Sequence, residues 1–108
     1  MQLHAVLFTP VAERQLASLY AYIAEDRGTA IADKFIGGVV ESCMALAAFP
    51  RVGAKRDDIR PNLRIKTYAR RVTIAFSINA ETAKVAILGV FYGGQDFELA
   101  LRESETGA

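Results

Sequence analysis

The residues best suited to chemistry in this 108-residue chain are cations. Between Arg51 and Arg71 stand Arg51, Lys55, Arg56, Arg60, Arg64, Lys66, Arg70 and Arg71 against two acids, Asp57 and Asp58, a local charge of +6 in a chain whose total is +1. Arginine presents a planar fork of N–H donors that matches phosphate or carboxylate oxygens, a fit lysine cannot copy. An anion-binding strand face is one reading of this stretch; a solvated strand face is the other, and composition alone favours it. Other chemistry lacks material. One cysteine, Cys43, makes no internal disulfide, and with a single histidine, His4, and no carboxylate cluster the chain offers no metal site. No cofactor is expected. His4 reads as an edge-strand or surface residue, Cys43 as a small buried side chain on a helix.

Those cations must be held by ordinary elements. Leu3 to Phe8 is a short apolar run that stops at Thr9-Pro10, where threonine can cap a helix and proline can fill its first turn. In that helix Ala12, Leu16, Leu19, Tyr20 and Ile23 recur at intervals of three and four and share a face. Asp26-Arg27-Gly28 interrupts the pattern. Thr29 can cap a second helix, which runs until Pro50 and carries a broad apolar face of Phe35, Ile36, Val39, Val40, Cys43 and Leu46. So tight a connection predicts an antiparallel helical hairpin, and so broad a face predicts a sheet beneath it.

After an irregular stretch punctuated by Gly53 and Pro61, three strands follow. In the first, Leu63, Ile65 and Thr67 point to one side and Arg64, Lys66 and Tyr68 to the other. In the next, Val72, Ile74, Phe76 and Ile78 oppose Arg71, Thr73, Ala75 and Ser77. Lys84 to Phe91 is apolar on both faces, as in the middle of a covered sheet. Gly93-Gly94 ends it, and Asp96 to Glu103 is read as a short helix carrying Phe97 and Leu101 or as a segment ordered on a partner. Phe35, Phe49, Phe76 and Phe91 are expected in the core.

The fold class is therefore α+β: an N-terminal strand, an antiparallel helical hairpin, a three-stranded antiparallel meander completing one small sheet, and a short C-terminal helix or tail. The length suits one domain, 1–103, with 104–108 as a flexible tail. No secretory signal or membrane-spanning run is visible, so a cytoplasmic protein is expected.

Three stretches, in this order, resemble the RelE/ParE toxin superfamily across nearly the whole chain. Phe8-Thr9-Pro10-Val11-Ala12-Glu13 is similar to the family's passage from first strand to first helix. Asp58-Ile59-Arg60-Pro61-Asn62-Leu63-Arg64, followed by Tyr68, Arg70 and Arg71, is similar to its Asp-x-Arg-Pro-Gly-Leu-Arg approach to the first hairpin strand. Ile87 to Asp96 is similar to its apolar strand ending in His/Tyr-Gly-x-Arg-Asp. Two residues depart from the pattern: Asn62 stands for glycine, which asparagine can imitate at positive φ, and Gln95 stands for arginine, removing a charge from the functional face.

The resemblance implies a toxin of a type II toxin–antitoxin system, of the kind linked with plasmid stabilisation, held inactive in a hetero-oligomer by direct binding of a cognate antitoxin. A ParE-like toxin would inhibit DNA gyrase by binding, with no chemistry of its own, and no sequence-specific DNA binding by the toxin alone is expected. Target contacts would then come from Arg60, Arg64, Lys66, Tyr68, Arg70 and Arg71, with Tyr92 as a further aromatic contact. The alternative is a RelE-like ribosome-dependent mRNA endonuclease, whose chemistry needs a base, a cation and a leaving-group acid within hydrogen-bond reach and for which Arg64, Lys66, Arg71 and Tyr92 are the candidates. The weakness there is that no histidine or carboxylate joins the basic strands. A third reading, a binding domain without toxicity, follows from the fact that a fold does not fix a function.

Overall fold

The computed structural model describes residues 3–93 and 95–104. Gly94 and the tail expected at 105–108 lie outside the described residues; Ser104, placed in that tail by the sequence, closes the last helix instead.

Strand β1 (Ala5–Phe8) leads into helix α1 (Pro10–Arg27), helix α2 (Thr29–Met44) and a 3₁₀ turn (Ala45–Ala47). Strands β2 (Ala54–Lys55), β3 (Leu63–Tyr68), β4 (Val72–Asn79) and β5 (Lys84–Tyr92) follow, then helix α3 (Phe97–Ser104). The five strands form one sheet in the order β1-β5-β4-β3-β2. The meander β3-β4-β5 is antiparallel, and β1 pairs with β5 in parallel. The two-residue β2 on the far edge is too short to show any periodicity, and the sequence did not announce it.

Thr9 caps α1 as its position before proline requires: its hydroxyl accepts from the Ala12 N–H at 3.2 Å and donates to the Ile87 carbonyl at 2.8 Å. The second helix departs from expectation at both ends. Its cap is Gly28, at φ 97°, with no side-chain hydrogen bond, so Thr29 is already helical. It ends at Met44, and the 3₁₀ turn separates it from Pro50.

Both long helices cover one face of the sheet. Ala12, Leu19 and Ile23 from α1 and Ala32, Val39 and Cys43 from α2 meet Val72, Ile74 and Phe76 of β4 and Val85, Ile87 and Val90 of β5. Each valine, leucine, isoleucine or phenylalanine among them contributes on the order of 1.5–3 kcal/mol on leaving water, the two alanines and Cys43 less. The opposite face has a smaller core, in which Leu101 and Phe97 of α3 pack on Leu63, Ala75, Phe91 and Ile59. That is why β5 reads as apolar on both sides. Its alternation changes phase at Leu88, which has no partner in β4: Ala75 pairs with Gly89 but Phe76 with Ile87. This bulge lets Val85 and Ile87 face the helices before it and Val90 and Tyr92 after it. One expected core residue is not there. Phe49, just past the 3₁₀ turn, is 63% exposed.

Candidate functional site

The basic stretch does not form one face. Six of its eight cations fall at three places along β3, whose six residues put about 17 Å between the turn that precedes it and the turn that follows; Arg51 precedes β2 and Lys55 lies on it.

At the first place lies Arg60, half-buried in the turn before the strand. The same turn holds Asn62 at φ 67°, the left-handed conformation expected of a residue standing for glycine, with its N–H donating to Asp57 Oδ1 at 2.9 Å. Arg56 is neutralised here. Its guanidinium forks onto Asp58 at 3.0 and 2.9 Å and donates to Glu98 of α3 at 2.9 Å. Those bonds hold the Asp58 carboxyl below its usual pKa and the guanidinium above its own. Arg56 thus ties α3 to the turn, a role invisible in the sequence because Glu98 lies 42 residues away.

At the second place, Arg64, Lys66 and Tyr68 share a side as their alternation requires, and that side faces the helices. Lys66 Nζ donates to the Ser42 carbonyl near the end of α2 at 3.1 Å. Arg64 donates to the Val52 carbonyl at 3.2 Å. Tyr68 lays its ring edge-on to Phe35 with centroids 5.5 Å apart, and a Cβ at Gly38 of α2 would overlap its hydroxyl.

At the third place, the β3–β4 turn, Ala69 and Arg70 both take positive φ, 52° and 60°, and the Arg71 N–H closes the turn on the Tyr68 carbonyl at 3.0 Å. This is type I′ geometry, normally the preserve of asparagine and glycine. Holding alanine and arginine there costs on the order of 1 kcal/mol or more each. Arg70 and Arg71 are exposed. The Arg71 guanidinium reaches the Tyr92 hydroxyl at 3.5 Å.

Around Tyr92 the structure gathers aromatics that the sequence did not single out for the site. Tyr22 of α1, 60% exposed, has its ring centroid 6.1 Å from that of Tyr92, and Phe35 lies edge-on to Tyr92 at 6.3 Å. Two hollows meet there. One, of about 580 Å³, runs along α1 past Val11, Arg14 and Ser18 to Tyr22. The other, of about 370 Å³, lies between Tyr22, Arg27, Ile31, Phe35 and Arg71. Tyr22 could have been noticed, since an exposed tyrosine outside the apolar stripe of α1 has no packing reason to be there. Gln95, the residue in place of the expected arginine, accepts from the Tyr92 N–H at 2.7 Å.

Of the expected residues, then, Arg71 and Tyr92 come together, Arg70 stands exposed beside Arg71 in the turn, Arg64, Lys66 and Tyr68 sit under α2 and the loop after it, and Arg60 stands apart. Among the described residues no cluster of histidine, cysteine or carboxylate could hold a metal ion, and no helix is long and apolar enough to cross a membrane.

The sequence profile described as "ParE toxin of type II toxin-antitoxin system, parDE" matches residues 6–97. No curated protein sequence matches the chain. Among solved structures, the chain is similar to the chromosomal ParDE toxin–antitoxin system of P. aeruginosa, with TM-score 0.72 at 22% identity, covering 84% of this chain and 97% of that one. It is also similar to the toxin–antitoxin complex RelBE2 of Mycobacterium tuberculosis, with TM-score 0.64 at 22% identity over 88% and 97% of the two chains. A double mutant of the E. coli toxin RelE in the free state gives TM-score 0.63 at 12% identity over 96% and 97%. These likenesses agree on the fold.

Proposed function

The chain belongs to the ParE toxin family of type II toxin–antitoxin systems, and from that premise we propose that it inhibits DNA gyrase by binding and is neutralised by direct binding of a cognate antitoxin. The observation that carries this reading is the meeting of Arg71, Tyr92 and Tyr22 at the hairpin end of the sheet. Arginine and tyrosine are the residue types that dominate binding energy at protein interfaces. Here they stand beside a strained turn that projects Arg70 and Arg71 outward, and strain of this kind concentrates at functional sites.

The target contacts are Arg70, Arg71 and Tyr92. Arg64, Lys66 and Tyr68 support them from below by fixing β3 against α2. Arg60, about 17 Å away along the strand, belongs to a contact area separate from the hairpin tip. Cytoplasmic gyrase would be met as a protein surface, without base-specific contacts to free DNA.

The second reading, ribosome-dependent cleavage of mRNA, has one contact in its favour, the cation of Arg71 against the phenol of Tyr92. Against it, Lys66 and Arg64 are engaged with backbone carbonyls under α2 and the loop that follows, away from that pair. A base, a cation and an acid must converge within hydrogen-bond reach of one phosphate.

The test is to incubate the purified protein with DNA gyrase and supercoiled plasmid, and in parallel with a translating ribosome extract. Trapped double-strand breaks that disappear on adding antitoxin are expected in the first. Cut messenger with untouched gyrase would replace this reading by the second.

A further inference from the structure

Strand β5 is nine residues long, but β1 covers only its beginning, pairing from Ala5 with Lys84 to Phe8 with Ile87. The pairing ends at Thr9, whose N–H and hydroxyl both donate to the Ile87 carbonyl, at 3.1 and 2.8 Å. Pro10 then starts α1 and the chain leaves the sheet. Beyond that point β5 has β4 on one side, with Val90 opposite Ile74 and Tyr92 opposite Val72, and, among the described residues, no strand on the other.

Successive strand residues direct their N–H and C=O groups alternately to the two neighbours. Val90 and Tyr92 direct theirs to the open side, where side-chain amides meet the two N–H groups and the Gln95 N–H meets the Tyr92 carbonyl at 3.4 Å. Gln15 Oε1 accepts from the Val90 N–H at 2.7 Å and Gln95 Oε1 from the Tyr92 N–H at 2.7 Å. Two glutamine carbonyls, spaced two residues along the strand, stand where the carbonyls of a neighbouring strand would stand. They satisfy donors that would otherwise be costly, and they can leave, because a displaced glutamine amide is taken up by water. Beside this edge opens the hollow of about 580 Å³. Val11 and Tyr22 in its wall are 44% and 60% exposed, and Arg14 is the one charged residue lining it among the described residues.

We propose that the open edge of β5 from Val90 to Tyr92 is a strand-addition site, occupied by an extended segment of the antitoxin in which apolar and acidic residues alternate. The incoming backbone replaces the two glutamine caps. Its apolar side chains enter between Val11, Leu19 and Tyr22, and a carboxylate meets Arg14, the charge complement that an otherwise uncharged hollow calls for. Only the identity of the donor as the antitoxin rests on the functional reading above; the edge itself does not.

The probe is the peptide acetyl-Val-Glu-Val-Glu-Val-Glu-amide, with two twins, one N-methylated on its valines and one on its glutamates. Each is titrated into the full chain, followed by backbone amide resonances. An added strand pairs through every second residue, so one twin should lose binding and the other keep it, with the largest shifts at Val90 and Tyr92. Gln15→Ala and Gln95→Ala should each bind the unmethylated peptide roughly three- to tenfold more tightly, the worth of one displaced hydrogen bond, and Arg14→Glu should weaken it. Equal behaviour of the twins, or no response of Val90 and Tyr92 even in the double glutamine variant, overturns the proposal. The gyrase assay judges the functional reading separately: a strand that adds to a chain inert towards gyrase would sink that reading and leave this site standing.

Discussion

Lys66 reaches across from the sheet to the Ser42 carbonyl of α2, 3.1 Å away, and so acts as a clasp between the two layers. Its ammonium satisfies a carbonyl near the end of a helix, a position where the helix dipole also favours a cation. Lys66→Ala should therefore destabilise the fold by about 1–2 kcal/mol, with gyrase poisoning per folded molecule retained. Arg71→Ala should do the reverse, moving stability by no more than about 0.5 kcal/mol while lowering gyrase affinity about tenfold or more, roughly 1.4 kcal/mol. Denaturant melts and breakage titrations on both variants check this. Equal losses of poisoning in the two would sink the assignment.

Gly37 and Gly38 are neighbours on α2 with opposite surroundings. A Cβ at Gly37 meets nothing within 4 Å, whereas one at Gly38 would collide with the hydroxyl and ring of Tyr68. Gly37→Ala should stabilise by about 0.5–1 kcal/mol, the helix-propensity difference. Gly38→Ala gains the same propensity but pushes Tyr68 off Phe35, an overpacking cost of about 1–3 kcal/mol, and should come out destabilising. Thermal melts of the pair decide it; stabilisation by both would mean that Tyr68 moves aside freely.

The contrast shows what the sequence could and could not disclose. Periodicity located both long helices and the meander, and Thr9-Pro10 and Asn62 behave as their chemistry demands, because these signals are local. The facing of β3 was not legible. Alternation put Arg64, Lys66 and Tyr68 on one side, but a row of two cations and a tyrosine reads as solvent-facing, and only the placement of the Ser42 and Val52 carbonyls turns it inward. The Leu88 bulge and the pairing of Arg56 with Glu98 depend on register between distant segments. Phe49 looked like core because hydrophobicity says nothing of where a chain must turn away from the sheet. At the site, Arg71 and Tyr92 were named, but Tyr22, Gln15 and the capping role of Gln95 emerge only when α1 is laid beside the uncovered part of β5.

The β3–β4 turn sets stability against recognition. Ala69 and Arg70 hold left-handed conformations that favour glycine, so Ala69→Gly should stabilise by about 1 kcal/mol, about 4–8 °C in Tm for a chain of this size. Arg70→Gly should give a similar gain and at the same time weaken gyrase poisoning, since it removes an exposed cation beside Arg71. A melt and a breakage assay on each variant separate the two effects. If Arg70→Gly is both more stable and fully toxic, Arg70 does not contact the target.

Cys43 provides a pH test of the main core. Burial, the larger influence, pushes its thiol pKa from an ordinary 9.0 up to about 11, with the nearby Lys66 charge pulling the other way. Between those values the unfolded chain has released the thiol proton while the folded chain retains it. The folded state then binds more protons, so stability must fall as pH rises from about 9 towards 11. Near pH 7 both states carry the neutral thiol and the shift contributes nothing. Denaturant melts of the wild type and Cys43→Ala at pH 7, 9.5 and 11 isolate the effect, because the alanine variant keeps every other titrating group. The variant should start lower, from lost packing in the core, and then lose less stability than the wild type as the pH rises. Parallel pH slopes in the two proteins would mean that the thiol ionises as readily in the folded core as in the open chain.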